Sequence, residues 1–113
     1  MGIFNGVFPI LEGKEQAARE FAAETIGARK ADFDKLQARS NVTRETWTMQ
    51  QTPMGTFMLL WFEGDVESVF SDIATDSSEF ATWLRAQVTD VSGVDLSVPM
   101  PGPLPEVVLD WNG

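Results

Sequence analysis

The sequence predicts an α+β domain: an antiparallel sheet with helices on one face, in a ferredoxin-like element order. Two observations carry that prediction. Thr56-Phe-Met-Leu-Leu-Trp-Phe-Glu63 reads as a strand that is apolar on both faces. Phe57, Leu59 and Trp61 lie on one side, and Met58, Leu60 and Phe62 on the other, because successive strand side chains alternate. The apolar period also switches along the chain, giving strand, helix, two-strand hairpin, helix, strand. With 113 residues the chain forms one domain, and its helices suffice for one side of a sheet only. The other side calls for a partner, most simply a second copy of the chain.

The elements follow in order. Ile3 to Ile10 is the first strand. Leu11-Glu12-Gly13-Lys14 turns into a long helix over roughly 14–38, with Phe21, Ile26, Phe33 and Leu36 as its buried stripe. Gly27 inside it marks a bend or a close contact. Ser40-Asn41 stops it. Val42 to Gln51 and Thr56 to Glu63 flank Thr52-Pro53-Met54-Gly55, a hairpin signal. Asp65 caps a helix whose apolar stripe is Val66, Val69, Phe70 and Ile73. After a break at 75–78, Asp76 and Glu79 have capping-box spacing. The next helix presents Phe80, Leu84, Val88 and Val91 and ends at Gly93. Pro99, Pro101, Pro103 and Pro105 make 98–105 a stiff extended arm, and Glu106 to Trp111 reads as a short final strand that docks on a sheet edge.

Composition excludes several functions. The net charge is −9, and it is uneven. Residues 1–44 hold seven Lys/Arg against six Asp/Glu, whereas residues 45–113 hold one cation, Arg85, against eleven acids. Such a surface repels phosphate backbones and anionic membranes, so neither nucleic acid nor membrane is an expected partner. No apolar run reaches the roughly 18 residues of a membrane span. With no cysteine and no signal-like start, a cytoplasmic location is expected. Histidine, cysteine and tyrosine are all absent, which removes the usual zinc and haem ligands, so no metal and no cofactor is expected. Asp72, Asp76 and Glu79 cluster near the helix break, but their spacing is not that of a calcium loop. They read as capping and solvated acids.

The element order, the length and the turn Leu11-Glu-Gly-Lys14 before the first helix resemble the dimeric α/β-barrel superfamily. The resemblance covers roughly residues 3–92 and a final strand. In that group two ferredoxin-like sheets pack face to face across a homodimer. It includes antibiotic-biosynthesis-type monooxygenases and stress-responsive barrel proteins. The pattern Arg44-Glu45-x-Trp47, Gln51-Thr-Pro-x-Gly55 and Phe62-Glu-x-Asp65 is similar to an uncharacterised branch of the group. The haem-binding members generally use histidine, which this chain lacks.

Four tryptophans are the remaining oddity: Trp47, Trp61, Trp83 and Trp111. Trp47 and Trp61 sit on adjacent hairpin arms and are expected to approach each other across the sheet. They serve as core and interface packing, or as walls of an apolar ligand pocket between sheet and helices. Arg44, Arg85 and Asn41 are its candidate polar members, the two arginines being suited to an anionic ligand. Two functions stay open. One is a homodimer that binds a small apolar ligand or oxygenates it without a cofactor. The other is a non-catalytic homodimeric binding or assembly module.

Overall fold

The computed structural model describes residues 2–100 and 102–113. Its elements are β1 (Gly2–Ile10), α1 (Glu15–Ile26), α2 (Lys30–Arg39), β2 (Arg44–Thr52), β3 (Gly55–Gly64), α3 (Val66–Thr75) and α4 (Glu79–Ser92). The doubly apolar strand is the central one. β3 pairs antiparallel with β1 on one side and β2 on the other, in the order β1-β3-β2. Among the described residues the architecture is therefore α+β, with a three-stranded antiparallel sheet and four helices.

Alternation then sorts the side chains. Phe4, Phe8 and Ile10 of β1 point toward the helices with Met58, Leu60 and Phe62 of β3. One part of the core joins Ile10 to Phe21, Leu36, Phe80, Leu84 and Val91. A second stacks Phe62, only 1% exposed, on Phe4 with ring centroids 5.2 Å apart, and Val69 of α3 closes it. The opposite sheet face carries Ile3, Val7, Phe57, Leu59 and Trp61, and Val7 remains 62% exposed.

The expected long helix is two helices. A Cβ on Gly27 would lie 2.7 Å from the Ala23 carbonyl oxygen, so the tight break there needs glycine. The backbone N–H groups of Gly27 and Arg29 both donate to the Glu24 carbonyl, ending α1. The break resets the helical phase. Ile26, expected in the buried stripe, is 67% exposed, whereas Phe21 and Leu36 are buried as expected. Two caps match their sequence signals. Asp65 accepts from the Ser68 N–H, and Gly93 closes α4 in the left-handed region at φ 76°. The expected capping box at Asp76 is replaced by Ser78, whose hydroxyl accepts from the Ala81 N–H, while Asp76 accepts from the Ser78 N–H. A serine hydroxyl so placed meets the helix N-terminus directly.

The expected C-terminal strand does not form. Residues 103–113 have no regular secondary structure, Val108 is 87% and Trp111 82% exposed, and among the described residues the sheet has three strands, without the fourth of a ferredoxin-like order. Residues 105–109 line a cleft with Asn5 of the edge strand β1 but do not join its ladder, and Val107, Val108 and Leu109 stay exposed. The tail is anchored earlier, by buried Leu96. Pro101 of the expected proline-rich arm lies outside the described residues.

The phase reset gives a direct test. Phe62→Ala should cost about 3–5 kcal/mol in denaturant unfolding, the usual range for emptying a buried phenylalanine site. Ile26→Ala should stay within about 0.5 kcal/mol of wild type, as exposed substitutions do. Equal losses would mean that α1 continues as one helix with its stripe intact.

Candidate functional site

Three layers of side chains meet in a cavity of about 80 Å³ between the sheet and the helices. Phe21 of α1, Phe33 of α2, Trp47 of β2, Met58 and Leu60 of β3 and Phe70 of α3 are among its walls. The aromatic walls are in mutual contact, with the Trp47 ring centroid 5.1 Å from that of Phe21 and 6.2 Å from that of Phe33.

The polar content is small. Ser92 reaches the cavity, but its hydroxyl already donates to the Val88 carbonyl at 2.6 Å. Glu45 is the one titratable side chain in the lining. It is half-buried on the helix side of β2, between two donors. The Gln37 amide donates to Oε1 at 2.8 Å, and the Trp47 indole N–H donates to Oε2 at 2.5 Å. Burial pushes the Glu45 carboxyl above its ordinary value, and the two hydrogen bonds oppose that shift only in part. Among the described residues no cation pairs with it.

Of the five residues singled out from the sequence, Trp47 lines this cavity. Trp61 lies on the other sheet face, because its cross-strand partners are Asn5 and Thr46, whereas Trp47 sits opposite Leu60. The two tryptophans therefore do not approach each other. Arg44 shares the open face with Trp61 and stands exposed opposite Glu63. Arg85 donates to the backbone carbonyls of Ile73 and Asp76, each at 2.7 Å, and so staples the turn between α3 and α4. Asn41 makes the left-handed turn after α2 at φ 53°. Trp83 packs against Phe21 and Phe80, with the Arg29 guanidinium 4.1 Å above its ring.

The three acids near the helix break have separate partners. Asp72 accepts from the Ser40 hydroxyl, Asp76 pairs with Arg39, and Glu79 pairs with Arg29. Among the described residues no group of three or more His, Cys, Asp or Glu converges to hold a metal ion, and no helix is long and apolar enough to cross a membrane. Comparison with protein-family models, with curated proteins and with solved structures gives no match.

Sequence reasoning missed Glu45 as a site residue. Its signal was present: period-two alternation puts Glu45 on the same side as Trp47 and Met49, so a charge stands on the apolar side of its strand.

The raised Glu45 carboxyl has a signed consequence. Its contribution to stability is complete below the unfolded carboxyl value of about 4.3 and is lost as pH rises through the higher folded value. Glu45→Gln keeps the shape and removes the titration. The melting temperature of the variant minus that of wild type should therefore grow between about pH 4 and pH 8. Asp76, drawn down to about 2 chiefly by its hydrogen bond from Arg39, acts in the opposite sense and at lower pH. A difference that stays flat over this range would show that Glu45 titrates as it does in the unfolded chain.

Proposed function

We propose that this chain is a small-ligand-binding domain that works as a homodimer of the dimeric α/β-barrel kind, with its ligand between sheet and helices. One observation carries the ligand reading: a lone carboxylate, Glu45, faces a mostly apolar cavity with aromatic walls, whose other polar members are Gln37 and Ser92. Core packing alone favours an apolar side chain there, since a buried acid without a cation is costly. An apolar pocket with one or two placed polar groups is the usual make-up of a small-molecule site. The cavity is below the roughly 150 Å³ of an engineered benzene-binding cavity, so the ligand has few heavy atoms, or the unbranched Met58 side chain turns aside for it.

The homodimer reading rests on the open sheet face. Val7, Phe57, Leu59 and Trp61 form an apolar surface there, and Arg44 stands opposite Glu63 at one end. Adjacent charges of both signs suit a two-fold contact, in which each meets its opposite on the partner. Three strands of about nine residues span roughly 30 by 14 Å, a face of roughly 400 Å². A stable interface buries about 800 Å² on each partner. The exposed apolar residues Val108, Leu109 and Trp111 supply further area for that contact.

A second reading, cofactor-free oxygenation, is favoured by the same carboxylate. In this reading Glu45 takes a proton from an acidic substrate, leaving an electron-rich anion that reacts with dioxygen.

Calorimetric titration with small apolar solutes of four to six heavy atoms tests the ligand reading. Wild type should bind, and Val88→Phe, which fills the cavity, should weaken binding at least tenfold. Running the same titration in an oxygen electrode separates the two readings, because a binding domain takes up no dioxygen. For the assembly, sedimentation should find a dimer at micromolar concentration, and Leu59→Asp should give a folded monomer. A wild-type monomer would remove the homodimer.

A further inference from the structure

The sign of the cavity is the property that selects its ligand. None of the eight Lys and Arg side chains of the chain lines it. Arg44 and Arg85, the cations that an anionic ligand would require, are committed elsewhere: one on the far sheet face, one to two backbone carbonyls. What remains at the cavity is negative. Glu45 presents a carboxylate whose only partners among the described residues are two neutral donors, Gln37 and Trp47. A carboxylate offers about four lone-pair sites, so two neutral hydrogen bonds leave capacity for a further donor. The ring faces of Phe21, Phe33 and Trp47 carry the negative side of the aromatic quadrupole, which attracts cations held over them. Exclusion of water by the apolar walls strengthens both effects, because the effective dielectric inside the cavity is lower than in water.

Resting on the cavity reading above, we infer that the ligand is a small organic amine bound as its ammonium ion. Its N–H groups donate to Glu45, and its alkyl part lies among Phe33, Trp47 and Met58. An ammonium supplies the counter-charge that the cavity lacks and the donors that the carboxylate can still accept. A carboxylate or phosphate ligand meets repulsion from Glu45 and no compensating cation. A neutral ligand fills the space but leaves the charge as it was.

The test uses three solutes of matched shape on the full chain near neutral pH: isobutylammonium, isobutanol and isobutyrate. Calorimetry measures affinity, and the NMR resonance of the Trp47 indole N–H reports occupancy beside Glu45. Isobutylammonium should bind at least tenfold more tightly than isobutanol, and isobutyrate should bind least. Glu45→Gln should bring the ammonium and the alcohol within about twofold of each other, with alcohol binding retained. If that variant does not fold, the order of the three solutes on wild type decides the matter alone. Equal binding of ammonium and alcohol overturns the amine inference and leaves the cavity reading standing. Tighter binding of isobutyrate does the same. Binding of none of the three overturns the cavity reading and the amine inference together.

Discussion

Everything in this fold is arranged around β3, a strand with no polar side. Its placement between β1 and β2 satisfies its backbone on both edges, as a central strand requires. Its side chains pose the harder problem. The helices cover Met58, Leu60 and Phe62, while Phe57, Leu59 and Trp61 face away from them. The outer strands cannot supply both faces either. β1 turns Phe4, Phe8 and Ile10 inward, and β2 turns Trp47 and Met49 inward while presenting Thr46, Thr48 and Gln50 outward. Register is therefore fixed by the edges rather than by the centre. A one-residue slip of β2 would carry Arg44, Thr46 and Thr48 beneath the helices and turn Trp47 and Met49 out, whereas the same slip of β3 exchanges one apolar set for another.

On the inner side of β2, where Gln51 stands exposed at the strand's far end, Glu45 is the one charged residue. The neighbouring groups do not neutralise it but orient it. Gln37, from the last turn of α2, and Trp47, two residues along the strand, each take one carboxylate oxygen. The indole is thereby held with its N–H toward the acid and its ring against Phe21 and Phe33. One hydrogen bond thus links the polar group of the cavity to its aromatic wall. Departures from local consistency that the surrounding structure supports are where function is expected.

Much of this was legible from the residues, and the failures have physical causes. The hairpin turn, the Asp65 cap and the Gly93 stop are local signals, and each appears where expected. The first helix was misread because the apolar period runs through Gly27, while the backbone there does not. Trp47 and Trp61 were brought together in sequence reasoning by hairpin proximity, yet their faces follow from register, which is set by the Thr52–Gly55 turn. Arg85 was weighed as a ligand group because it is a lone cation among acids. The structure spends it on carbonyls at a helix break, a need that no sequence pattern announces. The tail was read as a strand from its apolar content, but a strand also needs ladder hydrogen bonds, and 106–111 lies beside Asn5 of the edge strand β1 without forming them.

The lopsided charge of the chain is resolved by folding, and the resolution returns to the same site. Cations from the first 44 residues pair with acids from the rest: Lys14 with Asp90, Arg29 with Glu79, Arg39 with Asp76. Each pair sits at the surface, where such contacts contribute about 0–1 kcal/mol, so their effect on stability is small. Their geometric effect is larger. All three tie α1, α2 or the turn before them to α4 or the turn that leads into it. Three of the seven first-half cations are thus held in these surface pairs, and among the described residues none pairs with Glu45 on the inner side of β2. Glu45 is met instead by the neutral donors Gln37 and Trp47, which orient its carboxylate without neutralising it.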